Sequence, residues 1–179
     1  YIKEHHKKGI FCTLKHFPGH GSATDDSHLG FTDISNTWIE DELEPYFQLI
    51  NAGLCDFIMT AHVFNANLDA EYPATLSENI ISGMLRDELN WNGVVISDEM
   101  KMKAISNNYS FKEAIEKAIN AGVDILLYTA NSQDSETSIC QDVIMAVKEL
   151  IADNKISQER IEQSYQRIMA IKSRIGVKQ

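Results

Sequence analysis

Four short apolar runs alternate with segments of helical periodicity, and this alternation limits the fold more than any other feature of the sequence. The runs cover residues 10–14, 55–63, 94–98 and 124–128. Runs of this length, rich in strand-forming residues, are typical of strands buried on both faces, as in a parallel sheet. Strands joined through helices need right-handed crossovers, so the sequence predicts an α/β fold with a parallel sheet.

The helical segments carry start and stop signals. They cover residues 39–52, 77–89, 111–120, 139–152 and 157–175, and residues 1–8 have the pattern of a helix end closed by Gly9. Ser77 is a candidate N-cap of the second segment, with a capping box of Thr75 and Glu78 as the alternative, and Ser157 is the candidate for the last. Residues 131–138 are predicted to form a polar loop.

Polar side chains recur at the carboxyl tips of three of the four predicted strands. Lys15 and His16 stand at the tip of the first, His62 at that of the second and Asp98 at that of the third. Such clustering is typical of the active-site face of a (β/α)8 barrel or of the crevice of a doubly wound sheet. No glycine-rich phosphate loop follows any strand, which disfavours the nucleotide-binding alternative. The chain of 179 residues is therefore predicted to hold about the last four strand-helix units of a TIM-type barrel, since a whole barrel takes about 250 residues.

The net charge and the apolar runs argue against two classes of partner, and the cysteine content indicates the compartment. The formal net charge of −10 argues against nucleic acid, which needs a basic face. No apolar run is long enough to span a bilayer, and none of these residues has the pattern of a signal peptide, so no membrane partner is expected. Cys12, Cys55 and Cys140 are odd in number and far apart, which favours reduced, buried thiols and a cytoplasmic location.

The densest chemistry lies in residues 15–28, which contain Lys15, His16 and His20 and end in Asp25-Asp26-Ser27-His28. Asp26 and His28 are two residues apart, so an extended loop places both side chains on one side of the chain. A carboxylate that fixes one imidazole nitrogen leaves the other to transfer a proton near neutral pH. The alternative is an Asx-turn with an exposed histidine.

Two further alternatives remain open from the residues alone. His16, His20 and His28 could bind zinc together with Asp25 or Asp26, although the Phe-Pro-Gly segment between the first two breaks the helical spacing that such pairs need. Asp98 could cap the next helix, or it could act as a nucleophile or base.

The motifs resemble those of a known family. Lys-His-Phe-Pro-Gly-His-Gly with Asp-Ser-His, then Met-Thr-Ala-His-Val, then Gly-Val-Val-Ile-Ser-Asp-Glu-Met occur in the same order as in glycoside hydrolase family 3 β-N-acetylhexosaminidases. The resemblance extends from Gly9 to about Leu127. It departs from the family at Glu99, where an Asp is common, and in the absence of the first four barrel strands, which are expected to supply an Asp and an Arg for sugar binding.

The resemblance implies a (β/α)8 barrel and a retaining mechanism. Asp98 would be the nucleophile, and His28, held by Asp26, would be the general acid/base in place of the usual second carboxylate. Lys15 and His16 would bind sugar hydroxyls. His20 and His62 would lie behind the residues that touch the substrate, and no cofactor or metal is implied.

The implied substrate is a terminal β-linked N-acetylglucosaminide, such as those derived from peptidoglycan. Residues 1–179 would form the C-terminal part of a single catalytic domain whose N-terminal half is missing, with self-association or pairing with that half as the expected assembly. A family 3 β-glucosidase is the alternative enzyme, and a non-catalytic sugar-binding or structural remnant is the alternative of another class.

Overall fold

The computed structural model describes residues 1–20, 32–129 and 136–174 of the chain. Its centre is a four-stranded parallel sheet, and a separate pair of two-residue strands lies beside it. In chain order the strands are β1 (Thr13–Phe17), β2 (Thr32–Asp33), β3 (Phe57–Thr60), β4 (Val63–Phe64), β5 (Val94–Glu99) and β6 (Ile125–Leu127). The order in the main sheet is β1-β3-β5-β6, and β2 pairs with β4.

Helices connect the strands of the main sheet. They are α1 (Ile2–His6), α2 (Glu44–Asn51), α3 (Lys103–Ser106), α4 (Phe111–Ala121), α5 (Glu136–Ala152) and α6 (Gln158–Arg174). Two short 3₁₀ segments, Glu40–Leu43 and Ala74–Leu76, and one π helix, Asn79–Glu88, complete the described elements. None of the described helices is both long and apolar enough to cross a membrane.

Side-chain caps fix several helix starts. Ser110 and Glu113 form a reciprocal capping box at α4. Ser157 Oγ accepts from the Arg160 N–H, and Ser77 Oγ accepts from the Ile80 N–H, as the sequence predicts. The alternative box of Thr75 and Glu78 is not formed, because Thr75 lies in the preceding 3₁₀ segment and points its hydroxyl at the sheet.

The parallel sheet and the four strand-helix units are confirmed, but some boundaries differ from the prediction. The first strand lies at Thr13–Phe17 rather than at residues 10–14, because pairing with β3 extends from Thr13 to Phe17. Helix α5 begins at Glu136, inside the predicted loop. The short helix α3 was not predicted, since four residues are too few to show helical periodicity.

Two clusters of buried side chains form the core. The larger cluster includes Phe17, Ile58 and Val95 of the sheet and Ile81 and Leu85 of the π helix, all almost wholly buried. A second cluster joins α4, α5 and α6. Because all four strands are parallel, their carboxyl ends meet at one edge of the sheet, which is where catalytic residues lie in α/β barrels.

The described cysteines are free, as predicted. Cys12 and Cys55 are half-buried, and burial raises the pKa of the Cys55 thiol to about 12. The expectation of buried thiols is wrong for Cys140, which is exposed on α5.

Candidate active site

The carboxyl edge of the sheet brings together the side chains predicted from three strands. His16 lies in β1, His62 follows β3 and Asp98 lies near the end of β5. Asp98 and His16 both contribute to the electrostatic environment of His62. The sequence prediction that these residues meet at one edge is therefore confirmed.

Asp98 has two oxygens in different environments. Oδ1 accepts from the Glu99 backbone N–H at 2.8 Å. Oδ2 lies 3.8 Å from His16 Nε2 and accepts no hydrogen bond within the described residues. About a fifth of the Asp98 side chain is exposed. The carboxylate is thus held through Oδ1, and Oδ2 is left to contact a substrate. Asp98 does not cap the next helix, so that alternative prediction is wrong.

A tight turn after β1 holds His16 and His20 together. The Gly19 N–H donates to the His16 carbonyl at 2.9 Å, and Gly19 has φ +132°, where a side chain would also collide with Glu42. The rings of His16 and His20 lie with centroids 6.2 Å apart. The peptide bonds before His16 and before Pro18 are cis.

Lys15 is exposed in β1 and forms no hydrogen bond or ion pair with the part of the chain that the structure describes. A cleft of about 480 Å³ beside β1 is lined by Lys15, His16 and His20. The cleft also borders Tyr46 of α2. A slightly larger cleft of about 550 Å³ lies at the opposite end of the sheet. The candidate site is at the carboxyl edge, because the histidines and the carboxylate of Asp98 lie there, although the cleft beside β1 is the smaller of the two.

His62 is 1% exposed, and both of its ring nitrogens have partners. Nε2 lies 3.0 Å from the Glu99 carbonyl oxygen, which can only accept, so Nε2 carries the proton. Nδ1 lies 2.8 Å from the Thr75 hydroxyl. Burial lowers the pKa of His62, so the ring is neutral at pH 7. The Thr75 hydroxyl has one proton, which either Nδ1 or the Ala61 carbonyl oxygen can accept.

Thr75 and Glu99 complete this network, and sequence reasoning missed the role of both. Thr75 Oγ1 lies 2.8 Å from Thr60 Oγ1 and 2.9 Å from the Ala61 carbonyl oxygen. The Glu99 carboxylate accepts from the N–H groups of Lys101 and Thr129. The only sequence signal for Thr75 was its helix-capping pattern, and Glu99 was noted only as a departure from a family motif.

The proposed acid/base pair lies outside the described residues. Asp26 and His28, and Asp25 of the alternative metal site, fall between residues 20 and 32. Among the residues that are described, no cluster of three or more His, Cys, Asp or Glu side chains could hold a metal ion.

Comparisons with known proteins point to one family. Residues 1–171 match the model of the glycosyl hydrolase family 3 N-terminal domain. A β-hexosaminidase of Tolumonas auensis is 39% identical over 134 residues, which are 73% of this chain and 40% of the relative. A β-hexosaminidase of Idiomarina loihiensis is 30% identical over 182 residues, which are 100% of this chain and 51% of the relative.

A solved structure gives the same result. The glycoside hydrolase family 3 β-N-acetylglucosaminidase of Paenibacillus sp. str. FPU-7 superposes with a TM-score of 0.88 and is 34% identical. The match covers 98% of this chain and 33% of that structure. The chain thus spans between about a third and a half of the length of the relatives that it matches.

Proposed function

The chain belongs to glycosyl hydrolase family 3, and we propose that the protein containing it is a retaining β-N-acetylhexosaminidase that removes terminal β-linked N-acetylglucosamine. Family membership confirms the resemblance found in the motifs and, with the parallel sheet, the TIM-type α/β fold class. Relatives named β-hexosaminidase and β-N-acetylglucosaminidase support the substrate class.

One observation carries the assignment of the nucleophile. Asp98 stands at the carboxyl edge, partly exposed, with Oδ1 held by the Glu99 N–H, while Oδ2 lies 3.8 Å from His16 Nε2 and accepts no hydrogen bond from the residues that the structure describes. A carboxylate in this arrangement can attack an anomeric carbon without first breaking a hydrogen bond to Oδ2. Helix capping or packing would not require an open oxygen.

The mechanism has two balanced steps. In the first, Asp98 forms a bond to the anomeric carbon while the glycosidic C–O bond breaks, and His28 gives its proton to the leaving oxygen. In the second, His28 takes a proton from water, the water oxygen attacks the anomeric carbon, and the ester bond to Asp98 breaks. An imidazole exchanges its proton near neutral pH, so His28 held by Asp26 can donate a proton in the first step and accept one in the second. A carboxylic acid would need burial to do the same.

We assign Lys15 and His16 to the binding of sugar hydroxyls. Both line the cleft beside β1, and the ammonium of Lys15 has no partner within the described ranges 1–20, 32–129 and 136–174. The T-shaped contact of His20 with His16 gives His20 a supporting role. His62 also supports the site, since neither of its nitrogens is open to a substrate.

The barrel would be closed by further strands. Within the described residues, β1 and β6 form the two edges of the sheet, and each pairs with one neighbour only. We propose that four additional strand-helix units pair with these edges and contribute to sugar binding. Self-association of this chain is the alternative, and sedimentation of the isolated chain as a stable, folded monomer would argue against it.

The natural substrates are proposed to be peptidoglycan-derived fragments, and the free cysteines favour a reducing, cytoplasmic compartment. Release of N-acetylglucosamine from purified peptidoglycan fragments by the full-length protein tests this choice of substrate. A protein active only on synthetic glycosides would contradict it.

The first experiment measures hydrolysis of a chromogenic N-acetyl-β-glucosaminide by the full-length protein, beside the matching β-glucoside and an Asp98→Asn variant. Turnover of the N-acetyl substrate alone, lost in the variant, is expected. Preference for the glucoside would instead indicate the β-glucosidase alternative. Sugar binding without turnover of either substrate would indicate a non-catalytic binding protein.

A further inference from the structure

Glu99, the neighbour of the proposed nucleophile, is tied to the structure at every polar group. Its N–H donates to Asp98 Oδ1 at 2.8 Å. Its carbonyl oxygen accepts from His62 Nε2 and from the Met102 backbone N–H, each at 3.0 Å. Its carboxylate accepts from the N–H groups of Lys101 and Thr129. A residue constrained in this way cannot rotate without breaking bonds on both sides of the backbone.

His62 is the buried support of this arrangement. The ring is 1% exposed, and its Nδ1 lies 2.8 Å from the hydroxyl of Thr75, which is fully buried against Thr60. With both nitrogens engaged, the imidazole has no position from which to exchange a proton with a substrate. Its one outward bond goes to the Glu99 carbonyl.

The length of the Glu99 side chain explains its second contact. One carboxylate oxygen accepts from the N–H of Lys101, two residues further along the same loop. The other reaches the N–H of Thr129, which follows the neighbouring strand β6. An aspartate is one methylene shorter and would reach only the local donor. Glu99 therefore connects the loop after β5 to the end of β6.

We propose that His62 and Glu99 are positioning residues that fix the Asp98 carboxylate with Oδ1 held and Oδ2 as the attacking oxygen. The inference rests on the proposed function, in which Asp98 is the nucleophile. His62 holds the Glu99 carbonyl together with the Met102 N–H, and the Glu99 carboxylate binds the N–H groups of Lys101 and Thr129. The Glu99 N–H then holds Oδ1, so that Oδ2 faces the substrate.

The effect on rate follows from the geometry of attack. Reacting atoms must lie in a near-attack arrangement, and a displacement of about 1 Å can cost roughly 100-fold in rate. Loss of the His62 donor leaves the Met102 N–H as the remaining described donor to the Glu99 carbonyl, and it loosens the residue whose N–H orients Asp98. The loss should appear in the first chemical step and leave sugar binding largely intact.

The test uses the full-length protein and a dinitrophenyl N-acetyl-β-glucosaminide, whose leaving group needs no protonation, so that kcat/KM reports the attack by Asp98. We expect His62→Leu to lower kcat/KM by about 10- to 100-fold. His62→Gln keeps a donor that can reach the Glu99 carbonyl and should recover most of that loss. The inhibition constant of N-acetylglucosamine should change less than threefold in both variants.

Glu99→Asp provides an independent arm, since it alters a partly exposed side chain and leaves His62 in place. We expect about a 10-fold loss in kcat/KM. Glu88→Gln, on an exposed position of the π helix, is the matched surface control and should behave as the wild type. Thermal melting of each variant identifies any failure to fold, in which case Glu99→Asp carries the test.

Two results would overturn the inference. One is wild-type kcat/KM in a folded His62→Leu or Glu99→Asp variant. The other is an equal loss in His62→Leu and His62→Gln, which would indicate that packing rather than donation matters. An Asp98→Asn control distinguishes these from failure of the proposed function: if that variant retains turnover, Asp98 is not the nucleophile at all.

Discussion

Asp124 stands just before β6 at the amino end of the sheet, and Asp98 stands near the carboxyl end of β5, yet their surroundings are opposite. The Asp124 side chain is fully buried and is paired with Arg86, Arg160 and Arg167. The Asp98 side chain is partly exposed, and its Oδ2 has only a 3.8 Å approach from His16 among the described residues. One carboxylate is saturated with donors, and the other keeps an oxygen open.

Three of the four arginines at the amino end come from one helix. Arg160, Arg167 and Arg174 are seven residues apart in α6, so two helical turns separate each from the next and all lie on one face. The first two contact Asp124, and Arg174 reaches Asp56, just before β3. Helix α6 therefore crosses the amino ends of the strands and ties them together. The comparison indicates that this end stabilises the fold and that the opposite end performs the chemistry.

Replacing Asp98 should produce the largest effect on activity and almost none on stability. Asp98→Asn removes the nucleophile, so we expect at least about a 1,000-fold loss of turnover in the full-length protein. The amide oxygen can still accept from the Glu99 N–H, so the free energy of unfolding should change by less than about 0.5 kcal/mol. Parallel measurements of kcat and of denaturant unfolding check both parts.

Replacing Asp124 should produce the opposite result. Asp124→Asn leaves three largely buried guanidinium groups without their shared countercharge, and breaking such a buried pair costs about 3–5 kcal/mol. Arg86 stays charged at neutral pH, although burial lowers its pKa to about 10. We expect a large fall in the unfolding midpoint, with kcat retained in the fraction that stays folded. Loss of kcat without loss of stability would contradict the assignment of stability to the amino end and of catalysis to the carboxyl end.

Replacing Asp56, a second buried carboxylate at the amino end, should cost less stability than replacing Asp124. Its carboxylate is buried and accepts from the Cys12 N–H and from Arg174, and it lies 2.6 Å from His6 Nε2. Half of the Arg174 side chain is exposed, so that cation can return to water when its partner is removed. Asp56→Asn should therefore cost about 1–3 kcal/mol, less than Asp124→Asn. An equal or greater cost, measured under the same unfolding conditions, would contradict the role given to exposure.

Sequence reasoning predicted the chemistry-bearing end better than the stabilising end. His16, His62 and Asp98 follow predicted strands, and the parallel topology alone brings them to one edge. The pairing of Asp124 with cations from α6 and the π helix joins residues up to 43 positions apart in the chain, and no local pattern signals it. The contacts of Glu99 with Thr129 and of His62 with Thr75 depend on how loops fold back, which periodicity does not encode.

The smallest effect we predict is a pH dependence of stability at the chemical end. Burial lowers the pKa of His62 below its usual value of 6.5, and the nearby His16 lowers it further. The negative charges of Asp98 and Glu99 raise this pKa, but burial is the larger effect. The unfolded chain therefore takes up a proton as the pH falls through 6.5, while the folded ring stays neutral until its own lower pKa is reached. Because the unfolded state binds more protons in this window, stability falls with decreasing pH, by at most about 1.4 kcal/mol per pH unit for one site.

His62→Gln isolates this contribution, since it removes the titrating ring and can keep the donor to Glu99. Between pH 7 and pH 5 the wild type should lose more stability than the variant, whereas above pH 7 their stabilities should run parallel. His5→Gln is the matched control, because His5 lies on the partly exposed helix α1 and its ring contacts Tyr1 at the start of that helix. Urea unfolding at half-unit pH steps measures the difference, and identical slopes in wild type and His62→Gln would show that the ring is not held neutral. A difference confined to the acidic side would mean that the same buried imidazole that orients the nucleophile also limits how far the site tolerates acid.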